Sequence, residues 1–310
     1  MPFISIVTPT YNEADNVDLL YQKCKAALCS IHDLTYEHIF IDNNSTDKTV
    51  EKLRTIASHD KNIKVILNMR NFGQVRSPYH AILEAKGEAV IAMASDLQDP
   101  PELLPVFISK WLSGNKVVLA QKKSSQENRL FYFFRTFYYQ LLRNFSEVPL
   151  PENTTGFGLY DREVIEVIRK INDPYPYFRG LILELGYQPE LVEFVQPKRV
   201  NGISKNNLYR LFDIAMLGFT KHSKVPLRIA TILGFLSSFV SILVALFYFI
   251  YKIIYWNNFS VGIAPLVVGI FFFSSVQLFF LGIVGEYVGA ILTHVRHVPP
   301  VIEKERINFG

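Results

Sequence analysis

The stretch FISIVTPTYNEADN, residues 3–16, holds a short apolar strand from Ile4 to Thr8 that runs into a polar segment, and a helix from Val17 to Leu28 follows it. The same succession repeats outward as far as residue 120. Glu37–Ile41 reads as a strand and Lys48–His59 as a helix, then Ile63–Leu67 as a strand, Ser77–Ala85 as a helix and Ala89–Ala94 as a strand. Repeated strand–helix order implies an α/β fold with a doubly wound parallel sheet. In such sheets ligands bind outside the carboxyl ends of the strands. The polar residues gather there, in TPTYNE at 8–13, DNNSTD at 42–47, NMRNFG at 68–73 and SDLQDPP at 95–101.

No GxGxxG follows the first strand and no GxxxxGK[ST] occurs anywhere, so dinucleotide and P-loop readings lack their phosphate cradle. Asp96 and Asp99, with Gln98 between them, stand directly after the apolar AVIAMA. Hard oxygen ligands in a strand-end loop suit Mg2+ or Mn2+ shared with a diphosphate. Turn chemistry and helix capping also collect Asp at strand ends, so both readings stand at this point.

Of the 310 residues 49% are hydrophobic, and they are unevenly spread. Ile229–Tyr251 is uncharged over roughly 23 residues, about 34 Å of helix and enough to cross a hydrocarbon core. A second apolar stretch runs from Pro265 to Gly285 with Gln277 as its one strongly polar member, and the segment between them has interfacial Tyr and Trp. The pair reads as a helical hairpin. Arg199, Lys205, Arg210, Lys221, Lys224, Arg228, Arg296, Lys304 and Arg306 flank it, against Lys252 alone in the connection. That asymmetry predicts that the large N-terminal domain is cytoplasmic, and the expected location is the inner (plasma) membrane, as a multi-pass protein. The N-terminus lacks the basic n-region of a signal peptide.

Leu208, Leu211, Phe212, Ala215, Met216 and Phe219 share one helix face, which suits a helix lying in the membrane interface. Arg129–Phe145 is a second interfacial candidate, carrying Arg129, Arg135 and Arg143, or else a helix buried in the soluble core. A net charge of +4 is too small for general nucleic-acid binding and points to anionic lipid instead. Cys24 and Cys29 lack the companions of a disulfide scaffold or structural zinc site. His222, His294 and His297 read as interfacial or solvated. Glu286, at the end of an apolar span, reads as a packing, oligomer or lipid-path residue. Gly282, Gly285 and Gly289 support close helix packing and leave room for a homo-oligomer.

Seven motifs in order give a resemblance that covers nearly the whole chain. They are SIVTPTYNEADN at 5–16, FIDNNSTDKT at 40–49, RNFGQ at 70–74, SDLQDPPEL at 95–103, NTTGFGLYDREV at 153–164, RVNGISK at 199–205 and GIVGEYVGAI at 282–291. Together they resemble the family 2 glycosyltransferases of GT-A fold, specifically the membrane-bound polyprenyl-phosphate glycosyltransferases related to dolichyl-phosphate mannose synthase and to bacterial undecaprenyl-phosphate glucosyltransferases. The resemblance implies a GT-A catalytic domain over 1–205, an amphipathic interface helix over 206–225, two transmembrane helices over 226–292 and a cytoplasmic tail over 293–310.

The resemblance also implies roles. Pro9, Tyr11, Asn12 and Glu13 would form the nucleotide loop, Asp42 would hydrogen-bond the base, and Asn71 and Gly73 would line the same pocket. Asp96 and Gln98 would bind the metal that bridges the diphosphate. Arg199, Ser204 and Lys205 would meet the lipid phosphate, with Arg129 and Arg135 of the other interfacial candidate. The donor would be a nucleotide diphospho-sugar, with UDP preferred, and the acceptor polyprenyl phosphate. A phosphomonoester's second pKa lies near ~6, so that acceptor needs little deprotonation. Direct displacement would invert the anomeric centre.

Three positions depart from the family pattern. Ala94 stands where the first Asp of the DxD is expected, Gly156 where an Asp and Gly158 where an Arg are expected. Asp99 is a candidate replacement ligand. A subfamily enzyme is the reading favoured here. The alternative is a catalytically impaired nucleotide-sugar-binding scaffold in the membrane. A processive polysaccharide synthase would need more membrane helices and a QxxRW segment, and the chain has neither.

Overall fold

The computed structural model describes residues 1–123, 153–197, 216–217, 225–255, 263–296 and 298–309. Strand β1 (Phe3–Thr10) outruns the apolar stretch because Pro9 and Thr10 continue to pair with Ile41 and Asp42 of β2 (Thr35–Asp42). β3 (Ile63–Asn68) pairs with β2, and β4 (Ala89–Ala92) lies on the other side of β1, all four parallel. Chain order therefore reverses at β1. The loops after β1 and β4 flank the crevice where ligands of such sheets bind.

Helices α1 (Val17–Cys29), α2 (Thr49–His59) and α3 (Gly73–Glu84) follow the first three strands, and a 3-10 turn at Pro101–Leu103 leads β4 into α4 (Leu104–Leu112). α3 begins four residues before the expected Ser77, with Pro78 inside it. Proline lacks the N–H that an interior turn needs, which makes it look like a helix start in sequence. β5 (Val117–Lys122), β6 (Thr154–Asp161), α5 (Arg162–Ile171), α6 (Phe178–Glu184) and β7 (Glu190–Phe194) complete this half. Within it the Asp161 side chain caps α5 by accepting from the Glu163 N–H at 3.0 Å, and Asn172 ends the helix at φ 50°.

Helices cover both faces of the sheet. Val17, Leu20, Leu53 and Phe107 pack with Ile4, Ile6 and Phe40 on one side. On the other, Tyr79, Ile82, Val164, Ile165 and Ile168 pack with Val7, Ile39 and Ile41. Each large aliphatic side chain so buried stabilises the fold by about 1.5–3 kcal/mol.

Among the described residues the sheet has eight strands in the order β7-β5-β6-β4-β1-β2-β3-β8 and is mixed rather than wholly parallel. β6 runs antiparallel between β4 and β5. It escapes a hydropathy reading because TTGFGLYD is rich in glycine, and the packing needs that: a Cβ on Gly158 would lie 2.5 Å from the Val118 carbonyl oxygen. The outermost strand, β8 (Glu303–Ile307), comes from the segment read as a tail and lies antiparallel on β3. Ile302 O accepts from the Met69 N–H at 2.9 Å, and the Asn308 amide donates to Ala57 O and Ile63 O at 2.7 and 2.8 Å. A His80–Glu303 hydrogen bond at 2.5 Å and a Glu84–Arg306 ion pair at 2.7 Å add to the clamp.

Before β8 come α7 (Val225–Ile254) and α8 (Ile263–Val295). Leu227–Tyr251 and Gly269–Val295 are long and apolar enough to cross a membrane. Phe235 and Phe271 are 74% and 71% exposed, and an apolar surface of this extent associates with a membrane rather than with water. The second helix runs ten residues past the expected Gly285, so Glu286 lies within it.

Candidate active site

The strand order sets the loops after β4, β1, β2 and β3 side by side along one edge, within roughly 15 Å at the usual strand spacing. They are tied together by side chains. After β1, Asn12 adopts φ 53°; its N–H donates to Ser45 Oγ at 2.8 Å and its Oδ1 accepts from the Thr46 N–H at 2.8 Å. The Glu13 N–H donates to Thr49 Oγ1 at 2.8 Å, and its carboxylate accepts from Asn16 Nδ2 at 2.6 Å. Asn is among the residues that tolerate the left-handed region, which lets the chain turn sharply here.

Asp42, at the end of β2, is fully buried and accepts from Ser45 twice, at 2.8 Å from the N–H and 2.5 Å from the hydroxyl. Burial pushes its carboxyl above the ordinary range, and the Ser45 hydrogen bonds offset only part of that. Next along the edge, Asn43 Oδ1 accepts from Asn68 Nδ2 and the Phe72 N–H at 3.0 and 3.2 Å. Asn71 Oδ1 accepts from the Gly73 N–H at 2.8 Å, which shapes the entry to α3. Gly73 has φ +87°, a conformation side chains disfavour, and the space beside it is open.

The loop after β4 has a different anchor. Leu97 is 4% exposed, buried in the core, yet adopts φ 59°, uncommon for a bulky residue. Asp96 and Gln98 flank it, half-buried, and Asp96 Oδ1 accepts from the Gln98 N–H at 3.2 Å. Asp99 is buried and accepts from the Ala94 N–H at 2.8 Å. Burial pushes its carboxyl up to about 6; the Ala94 N–H pulls it down and the charge of Asp96 raises it again. Among the described residues no three His, Cys, Asp or Glu side chains form a self-sufficient metal site. One or two carboxylates plus substrate phosphate oxygens are nonetheless the usual Mg2+ set. Asp96, Asp99 and the Gln98 amide fit it.

Of the residues singled out from sequence, Asn12 is linked to Asp42 through Ser45, and Asn71 and Gly73 lie across Asn43. Pro9 is a strand residue paired with Ile41, and Tyr11 follows the strand half-buried. Arg129, Arg135, Arg199, Ser204 and Lys205 lie outside the described residues, as do the two interfacial-helix candidates apart from Met216 and Leu217. Sequence reading missed Asn43, Ser45 and Asn68 as individuals. The Asp42-x-x-Ser45 spacing, typical of a side-chain-capped turn, was the available signal.

Two glycines of β6 stand at special backbone positions. Gly156 sits at φ +90°, and Gly158 has no room for any side chain between β5 and β6. Residues 5–169 match glycosyl transferase family 2, and the chain belongs to that family, with the Rossmann-like sheet of the GT-A fold. It is a glycosyltransferase. An uncharacterized glycosyltransferase of Synechocystis sp. is 35% identical over 297 residues, covering 96% of this chain and 93% of the relative. Bactoprenol glucosyl transferase of Shigella phage SfV is 32% identical over 302 residues, 97% of this chain and 98% of the relative. Among solved structures, glucosyl-3-phosphoglycerate synthase from Mycobacterium tuberculosis with Mn2+, uridine diphosphate and glucosyl-3-phosphoglycerate aligns over 71% of this chain and 78% of that one. Its TM-score is 0.45 at 19% identity.

Proposed function

We propose that the protein transfers a sugar from a nucleotide diphospho-sugar, with UDP the favoured nucleotide, to polyprenyl (undecaprenyl) phosphate at the cytoplasmic face of the plasma membrane, inverting the anomeric centre. One observation carries this reading: a single chain joins a switch-point crevice lined by the 94–99 loop to a hairpin long and apolar enough to span a bilayer. Nearly full-length similarity to a bactoprenol glucosyl transferase supports it.

In this reading Pro9, Tyr11, Asn12, Glu13, Asp42, Asn71 and Gly73 hold the nucleotide. The Ser45 and Asn43 hydrogen bonds pre-set that surface, so little ordering remains to be done on binding. Asp96 and Gln98, with Asp99 behind them, would hold Mg2+ or Mn2+. The cation would neutralise charge on the leaving diphosphate. Asp96 and Gln98 are the catalytic residues proposed. Arg129, Arg135, Arg199, Ser204 and Lys205 are proposed, from sequence alone, to meet the lipid phosphate. The acceptor is already an anion near neutral pH, so Gly156 in place of an Asp costs no essential base.

The test is a donor screen with purified full-length protein, undecaprenyl phosphate and UDP-, GDP- or dTDP-sugars, with and without Mg2+, read by mass spectrometry of the lipid. A glycosylated lipid phosphate formed only with divalent cation is expected. The second reading, a nucleotide-sugar-binding scaffold, is favoured by Ala94, and calorimetric nucleotide binding without any transfer would establish it.

A further inference from the structure

The last turns of α8 do not lie flat on the α/β domain. Between them and helices α5 and α6 is a groove of about 500 Å3, lined by Ile171, Leu181, Leu185, Tyr287, Ala290 and Ile291. That volume lies within the usual range for a small-molecule site. Its polar groups are few and mostly acidic. Asp173 faces His294 across it at 3.6 Å, and Glu184 sits at its border.

Two carboxylates and one imidazole repel a phosphate more than they attract it, so the groove suits an uncharged apolar chain. Its place in the molecule says which chain. It opens at the end of the candidate span Gly269–Val295, and Ile291 and Leu292 are 61% and 56% exposed there. It is therefore continuous with the surface that lipid hydrocarbon would cover. Its other side is formed by Asp173 and Tyr177, and between them the Tyr175 ring lies 5.1 Å from the Arg76 guanidinium. Arg76 is in the first turn of α3, three residues past Gly73, at the ligand-binding edge of the sheet. Its Nε is buried with no hydrogen-bond partner among the described residues. The groove thus lies beside the surface that lipid hydrocarbon would cover, and the 173–177 segment on its other side also carries the Tyr175 ring that Arg76 meets.

We infer that this groove takes the isoprene units nearest the phosphate of the polyprenyl acceptor, so that the chain leaves the bilayer beside α8 and presents its phosphate toward Arg76. The inference rests on the polyprenyl-phosphate reading proposed above. It assigns the lipid a path along α8 and α6 instead of between α7 and α8. It also gives the His294–Asp173 pair a role in closing the groove's polar border.

The test uses full-length protein in nanodiscs with Ala290→Trp, which fills the groove without touching the crevice. At saturating donor, a rise of at least tenfold in KM for undecaprenyl phosphate is expected, with kcat and UDP affinity unchanged. An unchanged acceptor KM overturns the inference. If Ala290→Trp fails to fold, wild-type protein labelled with a photoreactive isoprenyl phosphate decides. Cross-links within 171–185 and 287–295 that undecaprenyl phosphate competes away support the groove. Cross-links confined to α7, or groove labelling that only phospholipid displaces, overturn it. Wild-type turnover is the control: if no polyprenyl phosphate is glycosylated, the proposed function fails, whereas turnover with an unaltered KM in the variant sinks the groove alone.

Discussion

Two buried carboxylates sit at opposite ends of the same strand, β2. Near its start Glu37, 2% exposed, accepts from Ser5 Oγ at 2.6 Å and the Lys86 N–H at 2.7 Å, and pairs with Lys64 at 2.6 Å. At its end Asp42, also buried, accepts from Ser45 and Thr10 and faces no cation among the described residues. Burial pushes both carboxyls up. At Glu37 the Lys64 pair, Ser5 and the Lys86 N–H outweigh it and hold the group below its ordinary range, whereas Asp42 stays above its own. Glu37 therefore stabilises the fold above its unfolded pKa and loses that contribution as pH falls through its folded value. Asp42 costs stability as pH rises through its folded value. The Glu37 end of the strand is held by a cation and two donors, and the Asp42 end by no cation among the described residues.

The sharpest way to break that contrast is Glu37→Ala. It strands Lys64 and two donors, and a loss of about 3–5 kcal/mol is expected in urea unfolding. A loss under about 1 kcal/mol would mean these contacts are not structural. At the other end Asp96→Asn is expected to lower kcat/KM at least about 100-fold, roughly 2.7 kcal/mol, with the urea midpoint unmoved. A shifted midpoint with normal turnover would reverse the assignment.

Gly158→Ala places a Cβ against the Val118 carbonyl and is expected to cost about 1–3 kcal/mol of stability, read by thermal unfolding. A neutral outcome would mean that the β5–β6 contact yields to a side chain. The pH-dependent effect concerns His38, buried on β2, hydrogen-bonded to Thr8 Oγ1 at 2.9 Å and stacked on Phe40 at 4.0 Å. Burial pushes its imidazole down to about 3. The neutral form is the folded one, so its contribution is whole above pH 6.5 and declines by up to about 1.4 kcal/mol per pH unit below it. His38→Gln should flatten that slope between pH 6.5 and 4; an unchanged slope would place the titration elsewhere.

The parallel core was legible because β1 to β4 are apolar runs buried on both faces, each followed by a polar loop. The same loops exposed Asn12, Asp42, Asn71 and Asp96 as candidates. Direction and closure were not legible. β6 is too glycine-rich to announce a strand, and EKERI at 303–307 is too charged to read as anything but a tail. Its partly buried charges are satisfied by His80, Glu84 and Arg54, which lie far away in sequence.

Local pattern therefore determined that β1 to β4 are strands, which helices are apolar enough for a bilayer and which loops carry candidate oxygen ligands, since each follows from neighbouring residues alone. Only the tertiary structure decided that Gly158 has no room for a side chain, and that the last strand clamps β3 beside the 69–73 loop. These are contacts between distant parts of the chain. Hydropathy periodicity holds no information about which distant backbone will stand 2.5 Å from a given Cβ.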